Sequence, residues 1–402
     1  MESKKAMAPE MEVGMNADGM VLKLVFAIDT TGSQQSNIDA IKTNVKGIYA
    51  NLLQNVRRVE VALAYYKDFP QNGKEDPYVV FTVPFSSNAE DVVKAMDGIT
   101  ASGGGDTPEA VATAMDSVLK LDWGDGVEED GATESEAQCT RVVIWFSDAP
   151  PHGLGEFGDK YPNGDPNGND ATKLINAFAS RKIRVNVAGC GVMTSTSNVG
   201  NAFFRLFASR TCGTFVNMSH SAQLADVIVA STIESVQLNR AASEARVQLE
   251  ALGINPAQNL EELDDEEAEI VQNVFRSVSA SDPVLERCDA AICAVDCNEA
   301  TAAAAACVAD VVNVQTDKEF KAAFASWIES QRCASPAYRL LGCDDGSDDD
   351  GGLADVSYKS MSADCSVGKR NRVGAPRRER TAERLYHIVT SDKTPKGTCS
   401  AP

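Results

Sequence analysis

Residues 21–28 (VLKLVFAI) are almost wholly apolar and run into Asp29, the pattern of a strand buried on both faces of a parallel sheet. Apolar residues then recur at Ile38, Ile41, Val45, Ile48 and Leu52, a spacing that predicts a helix with one buried stripe. Arg57–Tyr66 and Tyr78–Phe85 read as two more strands. Residues 107–120 read as helix, with Pro108 in the first turn. Arg141–Ser147 (RVVIWFS) is a further buried strand and again runs into an aspartate, Asp148. Thr172–Arg181 reads as helix and Ile183–Ala188 as strand. A helix around Asn201–Ser209, a short strand near Thr214–Val216 and a helix from Ser221 onward follow. Strands alternating with helices predict an α/β fold: a doubly wound, mostly parallel six-stranded sheet flanked by helices.

Beyond residue 237 the strand pattern stops. Asn239–Leu252 continues as helix, and Leu260–Ser277 is acidic and helical. Asp282-Pro283 has the form of an N-cap followed by proline, opening an Ala-rich helix to about Val312. Thr316 with Glu319 makes a capping box, and the helix behind it carries Phe320, Ala323, Phe324, Trp327 and Ile328 on one stripe. After Cys343 the chain is polar. These shifts divide it into an N-terminal segment 1–19, an α/β domain 20–237, a mainly helical extension 238–343 and a polar, Cys-containing tail 344–402.

Charge and cysteine content change the picture in different ways. The 402 residues include 37 Lys and Arg against 58 Asp and Glu, a formal charge of −21. That balance argues against partners sought through phosphate neutralisation, so no nucleic acid is expected. No stretch has the apolar length of a membrane span, and residues 1–19 lack the apolar run of a secretory signal. A cytoplasmic setting is the expectation. Of the 11 cysteines, Cys139, Cys190 and Cys212 lie in the α/β part, Cys190 as a core residue in its strand. The rest (Cys288, Cys293, Cys297, Cys307, Cys333, Cys343, Cys365 and Cys399) crowd the C-terminal part without any C-x-x-C. Disulfides, thiols and, least of all, a metal remain open for them, and disulfides would require an oxidising compartment.

The chemistry concentrates at strand ends. Asp29-Thr30-Thr31-Gly32-Ser33 follows the first strand and wraps Asp29, Thr31 and Ser33 around one tight turn. In an open α/β sheet, ligands bind beyond the carboxyl ends of the strands. Asp148 ends a second strand, and Ser102-Gly103-Gly104-Gly105-Asp106-Thr107-Pro108-Glu109 delivers Thr107 from a glycine-rich loop. Carboxylates and hydroxyls around one small space suit a hard, oxygen-seeking cation such as Mg²⁺.

DTTGS, GGGDTPE and FSDAPPHG resemble the von Willebrand factor A domain, a Rossmann-like fold with a metal-ion-dependent adhesion site. The resemblance covers roughly residues 20–237 and implies that Asp29, Thr31, Ser33, Thr107 and Asp148 are the site residues, holding Mg²⁺ or Mn²⁺ directly or through water. DAPPHGLGEFGDKYPNGDPNGNDATKL, RVNVAGCG and Tyr65-Tyr66-Lys67-Asp68 look like the intracellular subset found beside alpha-type protein kinases. The acidic insert Gly124–Ala137 departs from it. No kinase domain is recognisable after residue 237, so kinase activity is not carried over.

Other candidates read as structural. Asp106 and Glu109 suit the first turn of a helix. His152 reads as a loop residue rather than a general base. Asn163–Gly168 echoes a calcium loop, but position twelve is Leu174 where glutamate is needed. Asp344–Asp350 reads as a solvated linker. The basic run Lys369–Arg384 suits an acidic surface of the chain or a partner, or plain solvation. The expectation is a non-enzymatic adhesion or scaffold module that engages Asp or Glu of a protein partner through a divalent cation. The alternative is an assembly protein working through its C-terminal helices with the metal site vestigial; a homo-oligomer is open on either reading.

Overall fold

The computed structural model describes residues 20–70, 77–124, 139–156, 158–190, 198–218, 223–255, 264–285 and 317–334, together with 287, 288, 292, 384, 385, 388 and 389. Six strands form one sheet: β1 (Val21–Asp29), β2 (Arg58–Tyr66), β3 (Val80–Ser86), β4 (Cys139–Ser147), β5 (Ile183–Cys190) and β6 (Phe215–Met218). Their spatial order is β3-β2-β1-β4-β5-β6. All neighbours are parallel except β2 and β3. The predicted doubly wound sheet is therefore present, with β3 the antiparallel edge.

Burial on both faces explains the near-continuous apolar runs. On β1, Leu22, Leu24, Phe26 and Ile28 join one core cluster, whereas Val25 and Ala27 join the other. The first cluster takes the stripe of α1 (Gln35–Leu53), where Ile38, Ile41, Val45, Ile48 and Leu52 are all buried as expected. It also takes α2 (Ala89–Asp97) and the first half of α6 (Leu224–Ala251). The second cluster packs α3 (Val111–Leu119), α4 (Ala171–Ser180) and α5 (Asn198–Arg210) on the opposite face.

Helix α2 was not expected. It is one short segment that buries only Val92 and Met96, too few positions to show a period; its signal is the cap, Asn88 Oδ1 accepting from Glu90 N at 3.1 Å. The expected helix over 107–120 also differs: α3 begins at Val111. Glu109 N instead donates to Pro150 O (2.9 Å), which holds residues 107–110 against the chain after β4.

Helix α6 crosses position 237 without interruption. Its second half leaves the sheet and packs Leu238, Ala242, Ala245 and Leu249 on Val271, Val274, Phe275 and Val278 of α7 (Asp265–Ser281). Asp264 closes a capping box with Glu267 at the start of α7. Asp282 caps the turn that follows, accepting from Val284 N at 2.8 Å. The helix behind it is described only at 283–285, 287, 288 and 292. Helix α8 (Asp317–Ala334) returns to the α/β part: Phe320 and Phe324 join the second cluster, and Lys321 Nζ donates to Asp170 Oδ2 at 2.5 Å. Thr316 and the side chains of Trp327 and Ile328 lie outside the described residues, as do Asp344–Asp350, the basic run up to Arg384 and most of the acidic insert. Of the eight C-terminal cysteines, Cys288 is buried in the first cluster, Cys333 is described only as part of helix α8, and the other six lie outside the described residues.

Phe320 is fully buried against α4 and α5 and stacks under the Arg210 guanidinium at 4.8 Å. Phe320→Ala should cost about 3–5 kcal/mol. Urea denaturation of wild type and variant measures it; a loss below 1 kcal/mol would mean that α8 is not part of this core.

Candidate metal centre

The register sets the two aspartates side by side. Ile28 pairs with Phe146 across β1 and β4, so Asp29 and Asp148 leave the sheet from neighbouring strands at the same edge. Asp29 is fully buried and Asp148 nearly so. Asp29 Oδ1 accepts from Thr31 N (2.9 Å) and Thr31 Oγ1 (2.7 Å), which folds the turn back onto the strand end. Asp29 Oδ2 is buried and, among the described residues, has no hydrogen-bond partner. Burial, reinforced by the charge of Asp148, pushes the Asp29 carboxyl up to about 7; the Thr31 bonds and Lys67 oppose that shift.

Thr31 is buried in this turn, while Ser33 is exposed in the short 3-10 turn Gly32–Gln34 that opens α1. Thr107 is exposed in the glycine-rich loop. That loop is tied to the β1 turn: Ser102 N donates to Thr30 O (3.0 Å) and Gly32 N to Gly103 O (3.4 Å). Gly104 has φ +90, and a Cβ there would lie 3.4 Å from Glu109 Oε1 and 3.5 Å from Thr31 Cβ. Those are ordinary contact distances, so it is the positive φ that favours glycine there.

Two further residues adjoin the site: Lys67, to which sequence reasoning gave no role, and Glu109, which it read as a first-turn acid of a helix. Lys67, nearly fully buried, donates from Nζ to Thr30 O and Ser102 Oγ (2.9 Å each) and also to Ser102 O. It pins the two loops together and sets one positive charge beside Asp29. Glu109 is buried rather than placed in a helical first turn. Its Oε2 has no partner among the described residues, and burial together with Asp29, Asp68, Asp148 and Asp106 raises its carboxyl to about 11. The pattern T-P-E before an apolar helix looked like a surface terminus, and only the loop's contact with Pro150 turns Glu109 inward. Asp106 instead accepts from Lys160 N at 2.7 Å.

His152 lies in the loop after β4, between two carboxylates. Nε2 faces Asp68 Oδ1 and Nδ1 faces Asp159 Oδ1, each at 2.7 Å. Asp159 also accepts from Gly153 N (2.8 Å) and Tyr161 N (2.8 Å). The imidazole thus clamps the loop after β4 to the end of β2. Burial works against its charge, but the two carboxylates outweigh that and raise it to about 9. Asp68, Asp106 and His152 each bring one ligand atom within 4.8 Å of the others. They could hold a cation only if His152 gave up a bond to an aspartate. Asp165 closes a turn, accepting from Asn167 N (2.7 Å), and accepts from Thr113 Oγ1 of α3 (2.6 Å), so the Asn163–Gly168 loop is a tied turn.

Residues 23–122 match the family model of the von Willebrand factor A domain; Asp29, Thr31, Ser33 and Thr107 lie inside that match and Asp148 beyond it. The chain is 30% identical over 164 residues to alpha-protein kinase vwkA of Dictyostelium discoideum, a stretch that covers 40% of this chain and 24% of that protein. It is 27% identical over 146 residues to a putative ariadne-like RING finger protein of Acanthamoeba polyphaga mimivirus, covering 35% and 12%. It therefore spans less than a quarter of either relative's length. Proximal thread matrix protein 1 of the mussel byssus aligns over 54% of this chain and 46% of that one, at 13% identity and a TM-score of 0.36.

Two measurements check the electrostatics. An acid whose folded pKa lies above its unfolded value costs stability as pH rises through that window, here from about 3.8 to about 7. In EDTA, Asp29→Asn should therefore be more stable than wild type above pH 7, by about 1–3 kcal/mol, with the gap narrowing toward pH 4. Thermal unfolding across pH reads it, and a destabilised variant at pH 8 contradicts it. His152 has the opposite use of a raised pKa: its stabilisation is complete below about 6.5 and lost as pH rises through about 9. The stability lead of wild type over His152→Gln should shrink by roughly 1–2 kcal/mol across that window. A lead that is constant with pH would show that the clamp works without a charged imidazole.

Proposed function

We propose that the chain, which matches the von Willebrand factor A domain over residues 23–122, is a non-enzymatic protein-binding module that engages an acidic residue of its partner through a divalent cation. The observation that carries the reading is the buried Oδ2 of Asp29 beside Asp148, which has no hydrogen-bond partner among the described residues. A carboxylate oxygen without a donor in a low-dielectric pocket is costly, and two such aspartates match the charge of one Mg²⁺ or Mn²⁺. Asp29, Thr31, Ser33, Thr107 and Asp148 would hold the ion, directly or through water. All are hard oxygen donors, and the set contains no thiol or imidazole.

The ion would supply a point of strong attraction for a carboxylate. The rest of the work falls to the chain. Thr31 orients the Asp29 carboxylate through Oδ1 and leaves Oδ2 available. Lys67 fixes the distance between the β1 turn and the glycine-rich loop. The raised Glu109 carboxyl holds its proton at neutral pH and adds no further negative charge. No nucleophile paired with a base is assembled among the described residues of the site, and His152 is committed to two aspartates.

Among the described residues no helix is long and apolar enough to cross a membrane. We place the module in a cytoplasmic setting, a reading supported by the likeness to alpha-protein kinase vwkA of Dictyostelium discoideum. Kinase chemistry is not part of the proposal.

Calorimetric titration with Mn²⁺ should show one site in the wild type and none in Asp29→Ala. Proteins retained by the immobilised chain in Mg²⁺ should be released by EDTA and absent with the variant. Retention that is undiminished in EDTA would overturn the reading.

A further inference from the structure

The opposite edge of the sheet has an unlike character. A cavity of about 300 Å³ opens at the starts of β4 and β5, between the C-terminal end of α5 and the middle of α6. At roughly 3.3 Å per residue, β4 alone separates it from the aspartate edge by about 26 Å. Five cationic side chains line it (Arg141, Lys182, Arg184, Arg210 and Arg246), and among the described residues no carboxylate does. In a chain of net charge −21 such a lining runs against composition.

Capping of backbone carbonyls accounts for part of this set. Arg141 Nη1 donates to Arg181 O (3.2 Å) and Arg246 Nη2 to Ile388 O (3.0 Å). It does not account for Arg184. This guanidinium is 5% exposed, and its donors meet only neutral acceptors, Ser235 O and Asn239 Oδ1 (2.9 Å). Its Nε is buried and, among the described residues, has no partner. The nearby carboxylate Glu234 is already held by Arg384 Nη1 (2.6 Å) and Thr214 Oγ1 (3.2 Å). Burial, reinforced by the charge of Arg384 and opposed by Cys212 and Glu234, pushes Arg184 down to about 10. Glu234 acts on this guanidinium only through space, and among the described residues no carboxylate bonds to it, so its hydrogen-bond partners are all neutral.

We propose that this cavity is a binding site for a small phosphate-bearing anion, with Arg184 at its floor and Lys182 at its rim. Four of the five cations are arginines, whose planar donor forks match phosphate oxygens in pairs. The charge present exceeds what one carboxylate could neutralise. The volume leaves room for a phosphate group and a substituent, at the lower end of small-ligand sites. The phosphate could be that of a soluble metabolite or of a lipid headgroup. The site is independent of the cation-dependent reading of the aspartate edge.

The test uses the full chain in EDTA, so that pyrophosphate cannot act through a metal. Calorimetry and thermal shift with pyrophosphate should show saturable binding and a rise in Tm, both weakened by added salt. Sedimentation with phosphatidylcholine vesicles, with and without phosphatidylinositol phosphate, separates the sources: soluble binding indicates a free anion, and vesicle binding alone a headgroup. Arg184→Gln should weaken binding at least tenfold. Lys182→Glu, an exposed change that spares the core, should do the same and keeps the test decisive if the buried variant fails to fold. Asp29→Ala should leave pyrophosphate binding intact. No binding in either format, or binding indifferent to Lys182→Glu, overturns the proposal.

Discussion

Two aspartates forced together at the carboxyl edge of a parallel sheet are the constraint on which the rest of this structure depends. Each stands at the end of a strand buried on both faces, and the strands are neighbours, so neither carboxylate can retreat into water. Repulsion and desolvation at that point must be met by something. The chain meets part of it with the Thr31 hydroxyl and amide and with the charge of Lys67. It leaves one oxygen, Asp29 Oδ2, unmet among the described residues. Stability alone would favour an amide or an apolar residue there, which is why the retained carboxylate carries the proposal of a cation site.

The surroundings follow from keeping that arrangement in one geometry. Lys67 reaches from the end of β2 to both loops, and His152 ties the loop after β4 to the same end of β2. Three strand ends are thereby cross-linked by two cationic side chains, each held by oxygen acceptors. The Tyr66–Trp145 contact lies just beneath them, with Trp145 Nε1 donating to Tyr66 Oη at 3.0 Å. Such a framework cannot relax far when the charge at its centre changes, which is what a binding site that discriminates occupied from unoccupied carboxylates requires.

How much of this was legible in the chain depended on how far each feature reaches in sequence. β1 and β4 were plain because burial on both faces makes them unbroken apolar runs, and α1 because its five buried positions repeat at helical spacing. The aspartates were legible for the same reason: each ends such a run. Lys67 and Glu109 were not. A lysine after a strand and a glutamate before a helix are ordinary surface features, and their burial arises only from loops packed 35 and 41 residues away, at Ser102 and Pro150. α2 and the true start of α3 were missed because a cap or a single cross-chain bond set them, with no period to read. The Arg184 cavity had no signature at all, since its five cations come from four separate places in the chain.

The net charge looks different once it is located. Along β1 and β4 the molecule runs from an edge crowded with carboxyl groups, Asp29, Asp148, Asp68 and Asp106 around the raised Glu109, to a cavity whose titratable lining is mostly cationic. Parallel strands make that polarity possible, because every strand end of one kind lies at one edge and every start at the other. An excess of 21 negative charges spread evenly would repel any anion and attract any cation weakly. Gathering opposite charges at opposite edges lets one sheet address both signs through sites too far apart to neutralise each other. At a separation of two Debye lengths or more, each edge keeps its own field in physiological salt. The sheet thus acts as an insulating spacer as much as a scaffold, and its apolar, doubly covered core is what keeps the two chemistries apart.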